Sequence, residues 1–233
     1  MYPLLMAAAM TCACGDDGGE AGADAAIVEP DAAVSQPHLV YLVFDGVTIT
    51  NGSADDPAGN VSGILAAPFT APSFFADENN RDEKLALIAD GARTILAPYN
   101  IEVVTTRPAS GAYDMIVFGG DPVDAGFQAG IIAYRPLQCN ENNPNVSFIF
   151  ENYEPLTKRY ANDVVTAVGQ LNNIPITNLN GDCMCGVSFD CLLNDALCTM
   201  GGAGTPVDPV WTCEAITEVD VQARFLDQFG PAL

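Results

Sequence analysis

The predicted fold is decided by the stretch Leu39-Val-Tyr-Leu-Val-Phe44, which Asp45-Gly46 ends. This stretch is almost continuously apolar, and its β-branched and aromatic residues favour an extended backbone. A short apolar run that ends at a turn signal is typical of a buried strand. We therefore predict a buried strand here, which residues 47–50 extend beyond a kink.

The chain downstream of this strand alternates between strand and helix patterns. Helices are predicted where apolar residues recur at helical spacing, at residues 77–96, 155–171 and 219–229. Strands are predicted at residues 101–106, 113–118, 130–134 and 146–150. Thr157 is the expected N-cap of the second helix, and 130–134 the expected edge strand. This order predicts an α/β fold, with a mixed, mainly parallel sheet and packed helices, followed by a disulfide-rich C-terminal segment.

The N-terminus is apolar but too short to span a bilayer, since a spanning helix needs about 20 apolar residues. The sequence Thr11-Cys12-Ala13-Cys14-Gly15 resembles the lipobox of bacterial lipoproteins, whose signal is cut before a cysteine that becomes lipidated. The resemblance implies lipidation at Cys14 and anchoring in the bacterial envelope, at the outer membrane or cell surface. Residues 1–14 contain no Lys or Arg, which leaves open whether Met1 is the true start. The alternative is a buried apolar element with two ordinary cysteines.

The rest of the chain divides by composition. Residues 15–36 are predicted to form an acidic flexible tether, because they carry six acidic residues, no basic ones and few bulky apolar ones. Residues 37–180 are predicted to form the α/β domain. Residues 181–233 are predicted to form a Cys-rich segment and a C-terminal helix of that same domain.

Six cysteines follow the N-terminal pair, and an even number in an exported chain favours disulfides. These disulfide candidates are Cys139, Cys183, Cys185, Cys191, Cys198 and Cys213. Spacing alone leaves many pairings open. We predict Cys183–Cys198 and Cys185–Cys191, with Cys139–Cys213 as the remaining pair.

The formal net charge of −22 excludes several classes of partner. Such a surface repels nucleic acid and anionic lipid head groups, so contact with the membrane is expected through the lipid anchor only. Structural calcium stays open from charge alone, although no stretch has the spacing of an EF-hand. The acidic pairs at residues 55–56 and 121–124 are expected to be solvated loop residues.

The span from residue 39 to about residue 182 resembles secreted bacterial zinc peptidases of the zincin class. The resemblance is carried, in this order, by residues 39–46, the first helix and residues 98–108, 113–120 and 145–150. In active members the next helix carries H-E-x-x-H, often extended to a third ligand, in which two His bind zinc and the Glu activates water. The resemblance implies a zincin-like fold in this chain.

That helix has lost the motif here. By resemblance, Thr166 and Gln170 stand at the positions of the zinc-binding His, Ala167 at the catalytic Glu, and Ile176 at the third ligand. Thr166 and Gln170 share one helix face, which is expected either to line the former cleft or to be merely solvated. Met184 or Met200 is either the remnant of the Met-bearing turn under the metal or an ordinary core residue.

Other catalytic chemistry has weak support in the sequence. The chain has one histidine, His38, which cannot by itself form a His-based zinc centre in one subunit. A Ser-His-Asp triad would need His38 as its base, but no G-x-S-x-G turn accompanies it. Asp114 and Asp163 are candidate paired carboxylates that nothing in the sequence brings together, and His38 itself is expected at the surface.

These patterns predict an acidic, extracytoplasmic lipoprotein without metal or other cofactor. The expected function is non-catalytic: binding a peptide or protein partner, in the former substrate cleft beside an edge strand. The alternatives are a hydrolase with a non-zinc mechanism and a purely structural envelope protein.

Overall fold

The computed structural model of the protein describes residues 36–131, 133–134, 145–150, 156–185, 195–206 and 217–233. The predicted signal, the Cys14 anchor and most of the tether lie outside these residues. The described helices are α1 (Arg81–Leu96), α2 (Thr157–Leu171) and α3 (Val221–Phe229). The described strands are β1 (His38–Val43), β2 (Val47–Asn51), β3 (Val61–Ser62), β4 (Phe69–Ala71), β5 (Ile101–Val104), β6 (Tyr113–Phe118), β7 (Ala133–Tyr134), β8 (Val146–Ile149), β9 (Ala203–Gly204) and β10 (Val219–Asp220).

The main sheet has the order β5-β1-β6-β8-β7 among the described strands. The pairs β1–β5, β1–β6 and β6–β8 are parallel, whereas β7 runs antiparallel to β8. The predicted α/β class and the mixed, mainly parallel sheet are therefore confirmed. The strand predicted from residues 39–44 lies inside this sheet, between β5 and β6.

The three helices contribute to one core on one face of the sheet. Side chains from β1, β6 and β8 pack in it with residues from all three helices. Helices α1 and α2 approach closely where Gly91 faces Ala161. A Cβ at Gly91 would lie 2.7 Å from the Cβ of Ala161, which is closer than carbon atoms pack. Glycine at this position therefore sets the spacing of the two helices.

The other face of the main sheet is covered by a small sheet of order β3-β2-β4. Residues 47–50 were expected to extend β1, and this was wrong. Gly46 adopts a φ of 79°, so the chain leaves the main sheet and β2 pairs with β4 instead. Asp55 is half-buried rather than solvated as expected, because its carboxylate accepts hydrogen bonds from Ser62, Gly63 and the N–H of Val146.

The starts of the helices differ from the predictions, most of all at α1, which begins at Arg81 and not at residue 77. Helix α2 begins at Thr157 with Leu156 at the N-cap position and no side-chain cap, so the expected Thr157 cap was wrong. Helix α3 begins two residues later than predicted, because the Asp220 carboxylate accepts a hydrogen bond from the N–H of Ala223 and starts the helix there. None of the helices in the described ranges is long and apolar enough to cross a membrane.

The segment after α2 contains little regular structure in its described residues. The strands β9 and β10 form a two-stranded antiparallel pair. Isolated bridges join Thr177 to Cys185 and Pro206, and Asp182 to Thr199. This segment packs against the side of the core that α2 and α3 share, through Cys183, Met184 and Cys198.

Candidate functional site

Helix α2 carries the positions that the zincin resemblance assigns to metal ligands. Its predicted apolar stripe of Tyr160, Val164, Val168 and Leu171 is buried. The opposite face is buried as well. Thr166, Ala167 and Gln170 are 6%, 0% and 8% exposed, so the expectation that Thr166 and Gln170 are merely solvated was wrong.

The hydroxyl of Thr166 is engaged within the protein. Its oxygen lies 2.6 Å from the carbonyl oxygen of Cys183 and 3.0 Å from that of Asn162, so its single hydrogen is donated to a backbone acceptor. The Cys183 contact fastens the middle of α2 to the Cys-rich segment. The residue at the first predicted ligand position therefore has a structural bond.

The third predicted ligand position lies just beyond α2. Asn173 ends the helix with a φ of 67°, in the left-handed region that Asn tolerates. The chain then turns so that the half-buried Ile176 packs against the main core. The next residue, Thr177, donates its N–H to the carbonyl of Met184 at 2.6 Å.

Zinc does not fit these positions. Its usual ligands are imidazole, thiolate and carboxylate groups, whereas Thr166, Gln170 and Ile176 offer a bound hydroxyl, an amide and an aliphatic group. Among the described residues, no three His, Cys, Asp or Glu side chains are grouped so that they could hold a metal ion.

Met184 is a core residue directly under α2. It is fully buried, and a Cβ at Gly169 would lie 2.5 Å from its sulfur. Met200 is only half-buried and packs at the edge of the same core. The interpretation of Met184 as an ordinary core methionine agrees with this packing, because its sulfur fills the space that Gly169 leaves.

The disulfide between Cys183 and Cys198 confirms one predicted pair. Both cysteines are buried, and the bond closes a loop of sequence separation 15. Cys185 is also disulfide-bonded. Its predicted partner Cys191 and the predicted pair Cys139–Cys213 lie outside the described residues.

A second polar site lies at the C-terminal end of α2, where the N-termini of β1, β6 and β8 meet. The Nε2 of His38 lies 2.8 Å from a carboxylate oxygen of Asp114, which is 1% exposed. Asn172 donates its side-chain N–H to the same oxygen at 2.9 Å, and the N–H of Asn145 donates to the other at 3.1 Å. The ring of His38 packs against Phe229 with centroids 5.0 Å apart.

This site was not predicted from the sequence. His38 was expected at the surface, but it is the first residue of β1 and is half-buried against its partner. Asp114 was considered as a partner of Asp163, whereas the structure gives it His38, Asn145 and Asn172. A usable signal was present: Asp114 is the only charged residue in an otherwise apolar strand, and a buried carboxylate requires a partner.

Two further buried groups have perturbed acidity. Burial raises the pKa of Asp182, although the N–H groups of Met184 and Gly201 donate to its carboxylate and oppose the shift. Burial also raises the pKa of Tyr99 to about 12, with smaller contributions from the negative charges of Asp182 and Asp220. The Tyr99 hydroxyl is buried and has no hydrogen-bond partner among the described residues.

These positions therefore form two polar clusters, one around Thr166 and the Cys-rich segment and one around Asp114. Each uses its polar groups to join elements of the fold. No protein-family model matches the chain. No curated protein matches it either.

Proposed function

We propose that the protein is a non-catalytic, peptidase-derived lipoprotein that binds a peptide or protein partner outside the cytoplasm. The observation that carries the proposal is the Thr166 hydroxyl, 2.6 Å from the Cys183 carbonyl at the position where the zincin resemblance expects a zinc ligand. A side chain that is bonded in this way stabilises the scaffold and takes no part in hydrolysis. The proposed function therefore depends on the surface of the folded scaffold, which binds the partner.

The proposed binding region is the former substrate cleft, between α2 and the edge of the main sheet formed by β7. One observation supports this choice. The strand β7 is the end strand of the main sheet in its described part, so it has an outer edge that an extended peptide can join.

Metal analysis and a peptidase assay on the purified full chain test the non-catalytic part. We expect less than stoichiometric zinc and no cleavage of a mixed peptide library, as followed by mass spectrometry. Peptides retained by the protein should be recovered intact. Stoichiometric zinc together with cleavage would overturn the proposal.

Rebuilding the motif tests the assignment of positions. The combined variant Thr166→His, Ala167→Glu, Gln170→His and Ile176→His should gain stoichiometric zinc if these residues stand where ligands belong. The control variant carries Thr166→His and Ala167→Glu only, and it should bind zinc far more weakly. Circular dichroism of both variants checks folding. A folded combined variant with no zinc would remove the zincin assignment.

The His38–Asp114 pair favours a second candidate function, hydrolysis without zinc. A carboxylate bonded to an imidazole supplies the acid and the base of a Ser-His-Asp triad. Among the described residues, however, no hydroxyl or thiol bonds to the His38 ring. Ester and peptide substrates tested against the protein and its His38→Gln variant decide this question, because hydrolysis that is lost in the variant would favour the enzyme.

A further inference from the structure

The outer edge of β5 is an open strand edge at the end of the main sheet opposite to β7. Among the described strands β5 pairs only with β1. A groove of about 490 Å³ runs along its outer side, lined by Arg93 and residues 101–106. This volume is within the range of about 300–1,000 Å³ that ligand sites occupy.

The direction of the backbone groups follows from the register. His38 pairs with Ile101, and the N–H of His38 donates to the carbonyl of Asn100 at 2.9 Å. In a parallel pair alternate residues point their backbone groups to the same neighbour, so Glu102 faces β1 and Val103 faces outward. The Nε of Arg93 reaches the outward carbonyl of Val103 at 3.0 Å, and the Val103 N–H is directed into the groove.

The lining of the groove carries one basic and one acidic side chain, Arg93 and Glu102. Arg93 is paired with Asp90 at 2.7 Å, so its charge is already balanced. The side chain of Glu102 is exposed, on the face of the sheet opposite to the helices. The whole chain carries a net charge of −22. A second copy of the chain would bring equal charge to this edge and be repelled, whereas a basic segment would be attracted.

We propose that the β5 edge binds an extended basic segment of another protein by strand addition. The added strand pairs its backbone with the outward groups of β5, among them the N–H of Val103, and displaces Arg93 from the Val103 carbonyl. It places a Lys or Arg beside Glu102. Because opposite charges on adjacent strands attract, Glu102 selects the basic side chain. This site involves neither α2 nor the β7 edge, so it does not depend on the function proposed above.

Fluorescence anisotropy with a short capped peptide of alternating Lys and Val tests the proposal on the full chain. We expect saturable binding of this probe. Two control peptides should bind poorly: one alternates Glu and Val, and the other keeps Lys and Val but is N-methylated at alternate backbone positions. Equal binding of the N-methylated peptide would overturn strand addition, because that peptide keeps the charge and loses the backbone donors.

Two variants place the site. Glu102→Lys should weaken binding of the Lys–Val probe about five-fold, because an attractive cross-strand pair is replaced by a like-charge pair. Glu83→Lys makes the same charge change at an exposed position of α1 and should leave affinity nearly unchanged. Equal weakening by both would show that only net charge matters and would overturn the assignment to β5.

A change at Arg93 should raise the affinity for the Lys–Val probe, whereas Glu102→Lys should lower it. Arg93→Gln frees the Val103 carbonyl for the added strand and removes a positive charge, so it should tighten binding. Lys158→Gln removes the same charge from a half-exposed position on α2 and serves as the control. Hydrogen exchange should show slower exchange of the Val103 amide with the probe bound. Unchanged exchange at Val103, or a dimer that itself protects that amide, would overturn the proposal.

Discussion

The sheet-and-helix region and the segment after α2 are held together by different physical means. In the first region, 36–171, apolar side chains from the strands and helices fill two buried clusters on the two faces of the sheet. In the second region, 174–185 and 195–206, a disulfide, isolated bridges and the buried carboxylate of Asp182 organise a chain with little regular structure. The second region therefore depends on a few specific bonds, whereas the first depends on many small contacts.

Removing a central side chain of the first region should have the largest effect. Phe118 is fully buried, with ring centroids 4.6 Å from Phe44 and 5.2 Å from Phe74. Phe118→Ala leaves a cavity that this packed cluster cannot refill, so the free energy of unfolding should fall by about 3–5 kcal/mol. Denaturant titration measures this loss. The control Leu87→Ala, at a position 52% exposed, should cost less than about 1 kcal/mol.

Removing the disulfide should have the next largest effect. Cys183→Ala with Cys198→Ala opens a loop of sequence separation 15. In the chain-entropy model, closing a loop of this size contributes about 3 kcal/mol to the free energy of unfolding. Hydrogen exchange should speed up first at Thr177 and Cys183, whose N–H groups bond within the second region. If the amides of α1 opened at the same low free energy, the two regions would not differ as described.

A larger residue at the close approach of α1 and α2 should lower stability by an intermediate amount. At Gly91→Ala the new Cβ would lie 2.7 Å from the Cβ of Ala161, and neither atom can rotate away. Overpacking of this kind costs about 1–3 kcal/mol, partly offset by the better helix propensity of Ala. Thermal denaturation should show a lower melting temperature. Thr94→Ala at an exposed position of α1 is the control. It removes the exposed bond from the Thr94 hydroxyl to the Asp90 carbonyl, and the better helix propensity of Ala should keep stability equal or higher.

The same contrast explains what the sequence could predict. Local apolar patterns predicted the three helices and the strands of the main sheet. Helical spacing of apolar residues indicates a helix, and a short continuous apolar run indicates a strand that is buried on both faces, as β6 is. Residues 47–50 were predicted as strand, but as an extension of β1. The pairing of β2 with β4 was missed, because it depends on the turn at Gly46 and not on a local pattern. Likewise, the bonds of Asp114 to His38 and Asn172 join residues far apart in the chain, and single-residue reasoning could not place them together.

The candidate site was predictable only in part, for a related reason. The helix that carries Thr166 and Gln170 and the pairing of Cys183 with Cys198 were both anticipated. The bond from the Thr166 hydroxyl to the Cys183 carbonyl was not anticipated. A threonine that donates to a distant carbonyl cannot be distinguished in the sequence from a solvated one. Spacing predicts which face a residue occupies, whereas its bonding partner depends on a segment without periodicity.

Tyr99 gives the smallest expected effect, and it lies where the two regions meet. Its ring packs on Phe225. Its buried hydroxyl has no hydrogen-bond partner among the described residues, and the negative charge of Asp182 contributes to its raised pKa. Tyr99→Phe removes a desolvated hydroxyl and keeps the ring, so it should raise the free energy of unfolding by about 1 kcal/mol. The control is Tyr113→Phe, which should lower stability because the hydroxyl of Tyr113 accepts a hydrogen bond from Arg107.

The pH dependence of the Tyr99→Phe difference provides an independent check. The folded pKa of Tyr99 is about 12, above its ordinary value of 10.0, so the folded state disfavours ionisation. A raised pKa makes the contribution of Tyr99 to stability complete below pH 10, and this contribution is lost as the pH rises through 12. The gain from Tyr99→Phe should therefore grow between these pH values in denaturant titrations. A gain that stays constant, or shrinks, would mean that the hydroxyl is hydrated and that water reaches the junction of the two regions.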